Sequence, residues 1–390
     1  MTISLIELTK KLINQPSITP KDHNCQNIIA CYLKSLKFNI ELMNFYDTHN
    51  IWAYRNGQHK QKQQHTTTLL FLGHTDVVSP GNTQNWKYPP FSGLINNGVL
   101  YGRGASDMKG ALAAMLIAAQ HFIQRHPNHK KKIAFLFTSD EEGSGKNGTI
   151  KAVQQLIERN EHIEYCIVGE PSSQNKLGDV IKNGRRGSCT GKLIIQGSSG
   201  HVAYPQFLIN PIHLTIPMLF DLMNIKWDQK NSIIFPKTSI QITNINTVPA
   251  NCTTHNITPD QLILNFNLRF SDQSSIKSIQ NNINKILSMH SLNYHIYWDP
   301  CISEPYFSNP GKLTNVVTNI ITKHYHYNII PRLETTGGIS DGRFIAKTGS
   351  EVLELGALNH TIHKFNEHIK LTDLKLLSYF YFKIMEKMLL

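Results

Sequence analysis

Five short patches carry side chains of the metal-ligating kind: Gly73-His74-Thr75-Asp76, Ser106-Asp107-Met108-Lys109-Gly110, Asp140-Glu141-Glu142-Gly143, Gly169-Glu170-Pro171 and His360-Thr361-Ile362-His363. Each closes a strand-like or glycine-rich segment. Together they offer two histidines, two glutamates and one aspartate, with a spare glutamate beside one of them. That inventory suits two zinc-like divalent ions with a water activated between them, and the chemistry it implies is hydrolysis.

Each patch also has an ordinary alternative when taken alone. His74 and Asp76 flank Thr75; such a pair can place an imidazole on a metal with a carboxylate behind it to fix the tautomer, yet a structural histidine fits as well. Asp107 or Ser106 could cap the helix that follows. Glu141 and Glu142 repel each other unless a cation or solvent lies between them; with a metal, one ligates and the other faces the water as general base. An ordinary acidic loop is the alternative. Glu170 precedes Pro171, which favours extended backbone at the glutamate. His360 or His363 alone would be structural or on the surface. The joint occurrence argues for a site, because every patch must otherwise be a coincidence.

The elements that would position these patches alternate. Thr67 to Leu72, Ile133 to Thr138 and Tyr165 to Val168 read as strands, and Lys109 to Arg125 as an Ala-rich helix. The alternation predicts an α/β fold with a largely parallel sheet flanked by helices. Ligands gather at the carboxyl ends of such strands, where three of the five patches sit. After about Arg186 the character changes. Thr190 to Gln196, Thr238 to Asn244 and Leu262 to Phe270 read as strands, and Pro211 to Ile225 and Ser275 to Ser288 as helices. This βαββαβ-like order predicts a compact α+β insert, residues 187–302, between two parts of a catalytic domain, 1–186 and 303–390. The polar loop from Asn56 to His65 reads as a surface turn.

A chain of 390 residues is too long for one ordinary core. Hydrophobic content of 40% and charged content of 17% fit a soluble globular enzyme. The longest apolar run, Ala111 to Ala119, is too short to span a bilayer. Met1 to Leu12 reads as an amphipathic helix rather than a signal peptide, so the expectation is a cytoplasmic protein with no membrane partner. The six cysteines form no CxxC pair and read as free thiols. A net charge of +12 invites a nucleic-acid partner. The basic residues are dispersed, however, and the densest run, His129 to Lys132, reads as a solvated approach to a strand. No nucleic-acid partner is expected.

Longer stretches carry a resemblance. Gly73 to Val78, Tyr101 to Gly110, Asp140 to Glu142, Val168 to Ser173, Gly184 to Ser188, Gly200 to Pro205, Thr336 to Gly338, Ser340 to Phe344 and Asn359 to Glu367 together resemble the M20 family of metallo-aminoacylases and peptidases. Gly184-Arg185-Arg186-Gly187-Ser188 and Ser340-Asp341-Gly342-Arg343-Phe344 are similar to its desuccinylating branch. The resemblance implies a zinc-peptidase-like catalytic domain with an inserted dimerisation and lid domain. It implies two divalent ions per chain, zinc first and cobalt as a substitute. His74 and Glu170 would hold one and Glu142 and His363 the other. Asp107 would bridge them, with a cis peptide to Met108. Asp76 would orient His74, and Glu141 would be the general acid/base. His201 would come from the partner subunit of a homodimer to stabilise the oxyanion. Arg185 and Arg269 would hold substrate carboxylates, since a guanidinium fork matches a carboxylate. Asn256, Ser188, Gly337 and Gly338 would complete the substrate contacts. The chain departs from the pattern at Ile339, where relatives carry threonine, and in a longer segment from Asn246 to His255.

The activity so implied is hydrolysis of a dicarboxylate amide, N-succinyl-LL-2,6-diaminopimelate, to succinate and LL-2,6-diaminopimelate. Other M20 amide hydrolases, an acetylornithine deacetylase or a dipeptidase, are the near alternatives. A non-catalytic basic binding protein on the same fold is the remote one.

Overall fold

The computed structural model describes residues 3–58, 67–248 and 255–390. Most of the Asn56–His65 loop, residues 249–254 and Cys252 therefore lie outside the described residues. The chain divides into two compact units. The larger comprises Met1–Gly184, Phe307–Glu334 and Ser340–Leu390; the smaller comprises Arg185–Tyr306 and Thr335–Ile339. The short return of 335–339, which carries Gly337 and Gly338, has no signature in the sequence.

In the larger unit an eight-stranded sheet runs, in spatial order, Asn39–Leu42, Asn50–Arg55, Lys132–Thr138, Thr68–His74, Tyr165–Val168, Glu351–Glu354, Val180–Lys182 and Arg332–Glu334. The strands from Lys132–Thr138 to Glu351–Glu354 are mutually parallel. Lys132–Thr138 and Thr68–His74 are buried at every position, as strands covered on both faces must be. Their register sets His74 beside Thr138 and Leu72 beside Val168. The Asp140–Glu142 and Gly169–Glu170 segments thus leave the sheet on either side of His74.

The Lys109–Arg125 helix is buried along almost its whole length. An apolar surface on all sides marks a core helix, and it packs with the Leu371–Leu389 and Leu5–Ile13 helices. The Leu5–Ile13 helix starts with a capping box: Ser4 Oγ accepts from Glu7 N, and Glu7 reaches back to Ser4 N. Among the described residues no helix is long and apolar enough to cross a membrane.

The basic run departs from its expected solvation. His129 is buried and donates through Nδ1 to Lys131 O at 2.8 Å. Lys132 is buried too, pairs with Glu161 and lies 4.5 Å from the Tyr54 ring centroid. The apolar strand it opens draws it inward, and an ion pair plus aromatic faces offset the desolvation.

The smaller unit is an antiparallel sheet in the order Ser239–Val248, Gln261–Phe270, Gly187–Gln196, Tyr294–Trp298. Gln261–Phe270 alternates strictly between partly and fully buried positions. Its inward set, Leu262, Leu264, Phe266, Leu268 and Phe270, packs with Met218 and Leu222 of the Pro211–Met223 helix and Ile279 and Ile283 of the Ile276–Met289 helix. The element order is βαββαβ.

Candidate metal centre

Two glycines prepare the site. A Cβ on Gly73 would lie 2.4 Å from Met108 Cε, and one on Gly169 would lie 2.5 Å from the same atom. The Met108 side chain therefore occupies the space between the two strand ends, which only glycine leaves open. His74 and Glu170 are the next residues along, and Asp107 precedes Met108 across a cis peptide. Packing at Met108 thus brings three acidic or imidazole groups from three segments together. Neither Ser106 nor Asp107 caps the helix: the position before Lys109 is Met108, with no side-chain cap.

His74 Nδ1 donates to the Asp76 carbonyl at 2.8 Å, which leaves Nε2 turned toward the carboxylates. That nitrogen faces Asp107 Oδ1 at 3.2 Å and Glu170 Oε1 at 3.5 Å. His363 Nε2 faces Glu142 Oε1 at 2.9 Å and Asp107 Oδ2 at 3.3 Å. Asp107 gives one oxygen to each histidine. Ligand atoms of His74, Asp107 and Glu142, and of His74, Glu141 and Glu170, lie within 4.8 Å of one another in each group. Asp76 meets His74 chiefly through its backbone. Its carboxylate stands 3.6 Å from Nδ1 and accepts instead from Glu141 N at 3.3 Å and Glu142 N at 3.1 Å. It thereby fixes the backbone of the acidic pair. His360 does not join the group; it is exposed and meets the His368 ring edge-on at 5.8 Å.

The electrostatics are those of crowded buried carboxylates. Burial, reinforced by the charge of Glu170, pushes Glu141 well above the usual carboxylate range. Burial and the charge of Asp107 push Glu170 up to about 7. Burial pushes Asp76 up to about 6. Burial alone would depress His74, yet its bonds to Asp107 and Glu170 hold it well above the ordinary imidazole value. Bonds to Asp107 and Glu142 raise His363 to about 10. Asp107 is held low: burial opposes ionisation, but both imidazoles favour it. An imidazole nitrogen turned outward among convergent carboxylate oxygens is the donor set that divalent zinc or cobalt takes, and a cation would relieve the repulsion. Asp341, also buried, adds its charge to the field at Glu141; the sequence reading gave it no part in the site.

In the smaller unit a second cluster has the opposite sign. Arg185 Nη1 donates to Thr336 O at 2.9 Å, and a Cβ on Gly337 would collide with that guanidinium at 2.1 Å. Burial, then the charges of Arg186 and Arg185, lower the pKa of Arg269. Arg269 Nη1 is buried with no hydrogen-bond partner among the described residues. Ser188 pairs in register with Arg269, and its Oγ accepts from Asn267 at 3.2 Å. Asn256 is exposed, and its carbonyl accepts from Val202 N at 3.0 Å. His201 is exposed, with Nδ1 accepting from Ala203 N at 3.1 Å. Gly338 has open space around it.

A carboxylate–imidazole centre at the carboxyl edge of an α/β sheet defines a class, and the sequence places the chain within it: it belongs to peptidase family M20/M25/M40, whose model matches residues 70–387. The chain is 66% identical over 390 residues, all of both chains, to a succinyl-diaminopimelate desuccinylase of Blochmanniella floridana. It is 62% identical to one of Blochmanniella pennsylvanica strain BPEN, covering 99% of this chain and 98% of that one. Among solved structures, the M20 family metallo-carboxypeptidase Sso-CP2 of Sulfolobus solfataricus shares the fold, with a TM-score of 0.81, 17% identity and 99% of each chain covered.

Proposed function

We propose that this protein hydrolyses N-succinyl-LL-2,6-diaminopimelate to succinate and LL-2,6-diaminopimelate, as a cytoplasmic enzyme of lysine and diaminopimelate biosynthesis. The observation that carries the substrate is the 66% identity, end to end, with a relative named for that reaction. His74 and Glu170 would hold one divalent ion, Glu142 and His363 would hold a second, and Asp107 would serve both. Zinc is the first choice by donor chemistry, with cobalt able to substitute. Ions bound there supply Lewis acidity toward water and toward the amide carbonyl.

The chain's own groups do the rest. Glu141, whose proton affinity burial raises, takes the proton of the attacking water and returns it to the leaving amine. Arg185 and Arg269 bind the substrate's carboxylates, and the unpartnered Arg269 Nη1 supports that role. Ser188, Asn256, Gly337 and Gly338 complete the substrate contacts. His201 of a partner subunit steadies the developing oxyanion. A homodimer built through the smaller unit is supported by Ile212, Ile216, Phe220 and Met223, exposed at helical spacing on one helix. Its Ser239–Val248 strand also pairs on one side only among the described residues.

The test is succinate release from N-succinyl-LL-diaminopimelate with zinc or cobalt, beside N-acetylornithine and dipeptides. Turnover of the succinylated substrate should exceed the others, and Glu141→Ala should lower kcat by roughly 10²–10⁴-fold with metal content intact. Preference for the acetylated substrate or a dipeptide would overturn the assignment.

A further inference from the structure

We propose that Glu367 is a positioning residue: through a buried clasp with Arg103 it sets where the Asp107 carboxylate stands between His74 and His363. The inference rests on reading Asp107 as the carboxylate shared by two cations.

Asp107 lies between the Val99–Tyr101 strand and the helix that starts at Lys109, on backbone with no ladder of its own. Buried amides in such a stretch need partners from elsewhere. Ser106 N and Asp107 N both donate to Glu367 Oε1, at 2.9 and 3.0 Å. Glu367 Oε2 accepts from Arg103 Nη1 at 2.8 Å. Glu367 is 0% exposed and Arg103 2%. A buried ion pair holds best when its polar atoms are partnered, and here one carboxylate accepts from two amides and from one guanidinium nitrogen at once.

The same clasp seats the loop that carries His363. Gly102 N donates to Glu367 O at 2.9 Å, and Ser106 Oγ donates to His368 O at 2.8 Å. The Arg103 guanidinium lies 5.2 Å from the Trp86 ring centroid, and Trp86 meets Phe365 edge-on at 6.4 Å. Lys87 N donates to Asn366 Oδ1 at 2.6 Å. Asp107 and His363 therefore share one support. His74 and Glu170 have another: each leaves the end of a buried sheet strand. Glutamine at 367 keeps one acceptor oxygen for the two amides but turns its NH₂ toward Arg103, so the clasp loses one of its two sides.

The experiment measures stepwise zinc affinities by chelator competition, and the visible spectrum of the cobalt form, for the unaltered chain, Glu367→Gln and Arg103→Lys. Circular dichroism and the denaturation midpoint of the metal-free proteins check folding. The unaltered chain should bind two ions. Glu367→Gln should weaken the ion facing His363 by roughly ten- to a hundred-fold, the scale for residues that orient a ligand. The ion facing His74 and Glu170 should weaken less, and the cobalt spectrum should change. Arg103→Lys should shift the same way by a smaller factor. A folded Glu367→Gln with both affinities and the spectrum unchanged would overturn the inference, as would equal weakening of both ions. If Glu367→Gln does not fold, Arg103→Lys decides by the same two criteria. Failure of the unaltered chain to bind two ions would instead sink the metal reading itself.

Discussion

The two units each gather like charges, and of opposite sign. In the larger, the half-buried Glu141 crowds against the buried Glu170 and Asp76, and all three are pushed upward toward their neutral forms. In the smaller, Arg269 is pushed down by burial and by the neighbouring Arg186 and Arg185. Neither cluster is a comfortable arrangement for an isolated chain, because like charges in a low-dielectric setting cost free energy. The difference lies in what relieves them. The carboxylates have two imidazoles among them and suit a small divalent cation of the zinc or cobalt kind. The guanidiniums have an orphaned donor and suit an anion that arrives and leaves. One cluster fits a resident group, the other a passing substrate.

Removing the cation should produce the largest effect that separates the two. Prolonged chelation should abolish turnover and lower the unfolding free energy by about 2.7 kcal/mol per site relative to protein with free ion at a hundred times its Kd. Zinc or cobalt should restore both. A chelated protein that kept full activity would break the comparison at its root. Arg269→Met should come next and cut in two directions. It should lower kcat/KM by about ten- to a hundred-fold, the scale of a lost charge-assisted hydrogen bond. It should also raise stability by about 1 kcal/mol, because a partly buried guanidinium with one unpartnered nitrogen is replaced by an apolar group of similar reach. Steady-state kinetics and urea denaturation on the same preparation read both; a loss of stability would show that the cluster is structural.

The smallest effect tests a carboxylate of the smaller unit that is fully partnered. Asp228 accepts from Thr238 N and Oγ1, Ser271 Oγ and Ser274 Oγ. Although burial opposes its ionisation, those bonds hold its pKa below the usual carboxylate value. A depressed folded value adds stability above the unfolded pKa of about 4, and the gain is lost as pH falls through the folded value. Asp228→Asn should therefore cost about 0.5–1 kcal/mol near neutrality, discounted for solvent screening, and flatten that acid limb. Denaturation midpoints at several pH values check it.

Much of this was legible before any coordinates. The Lys109–Arg125 helix announces itself by composition, and Tyr165–Val168 by a short apolar run bounded by turn residues. Strict alternation marks Gln261–Phe270. Local periodicity records such elements because each buries one face against a neighbour. The support around the metal centre has no such record. Glu367 sits in a loop, 260 residues from the Asp107 amide it receives, and a lone glutamate carries no spacing rule. The Asp76 carboxylate lies 3.6 Å from His74 Nδ1, as the sequence suggests, but its oxygens also meet two amides that only the folded sheet edge brings near. The burial of His129 and Lys132 was illegible for a related reason: charge alone argues for solvent, and the aromatic and acidic partners that reverse it lie elsewhere in the chain.

The Met108 thioether wedged beneath Gly73 and Gly169 has an evolutionary corollary. Adding one methyl group at either glycine would start a displacement whose next stop is the neighbouring carboxylate of Asp107. Neither glycine contributes an atom to the chemistry, yet a side chain at either would have to push the Met108 methyl aside, whereas at Gly98, with nothing within 4 Å of a built Cβ, the constraint is the backbone itself, at φ +73°.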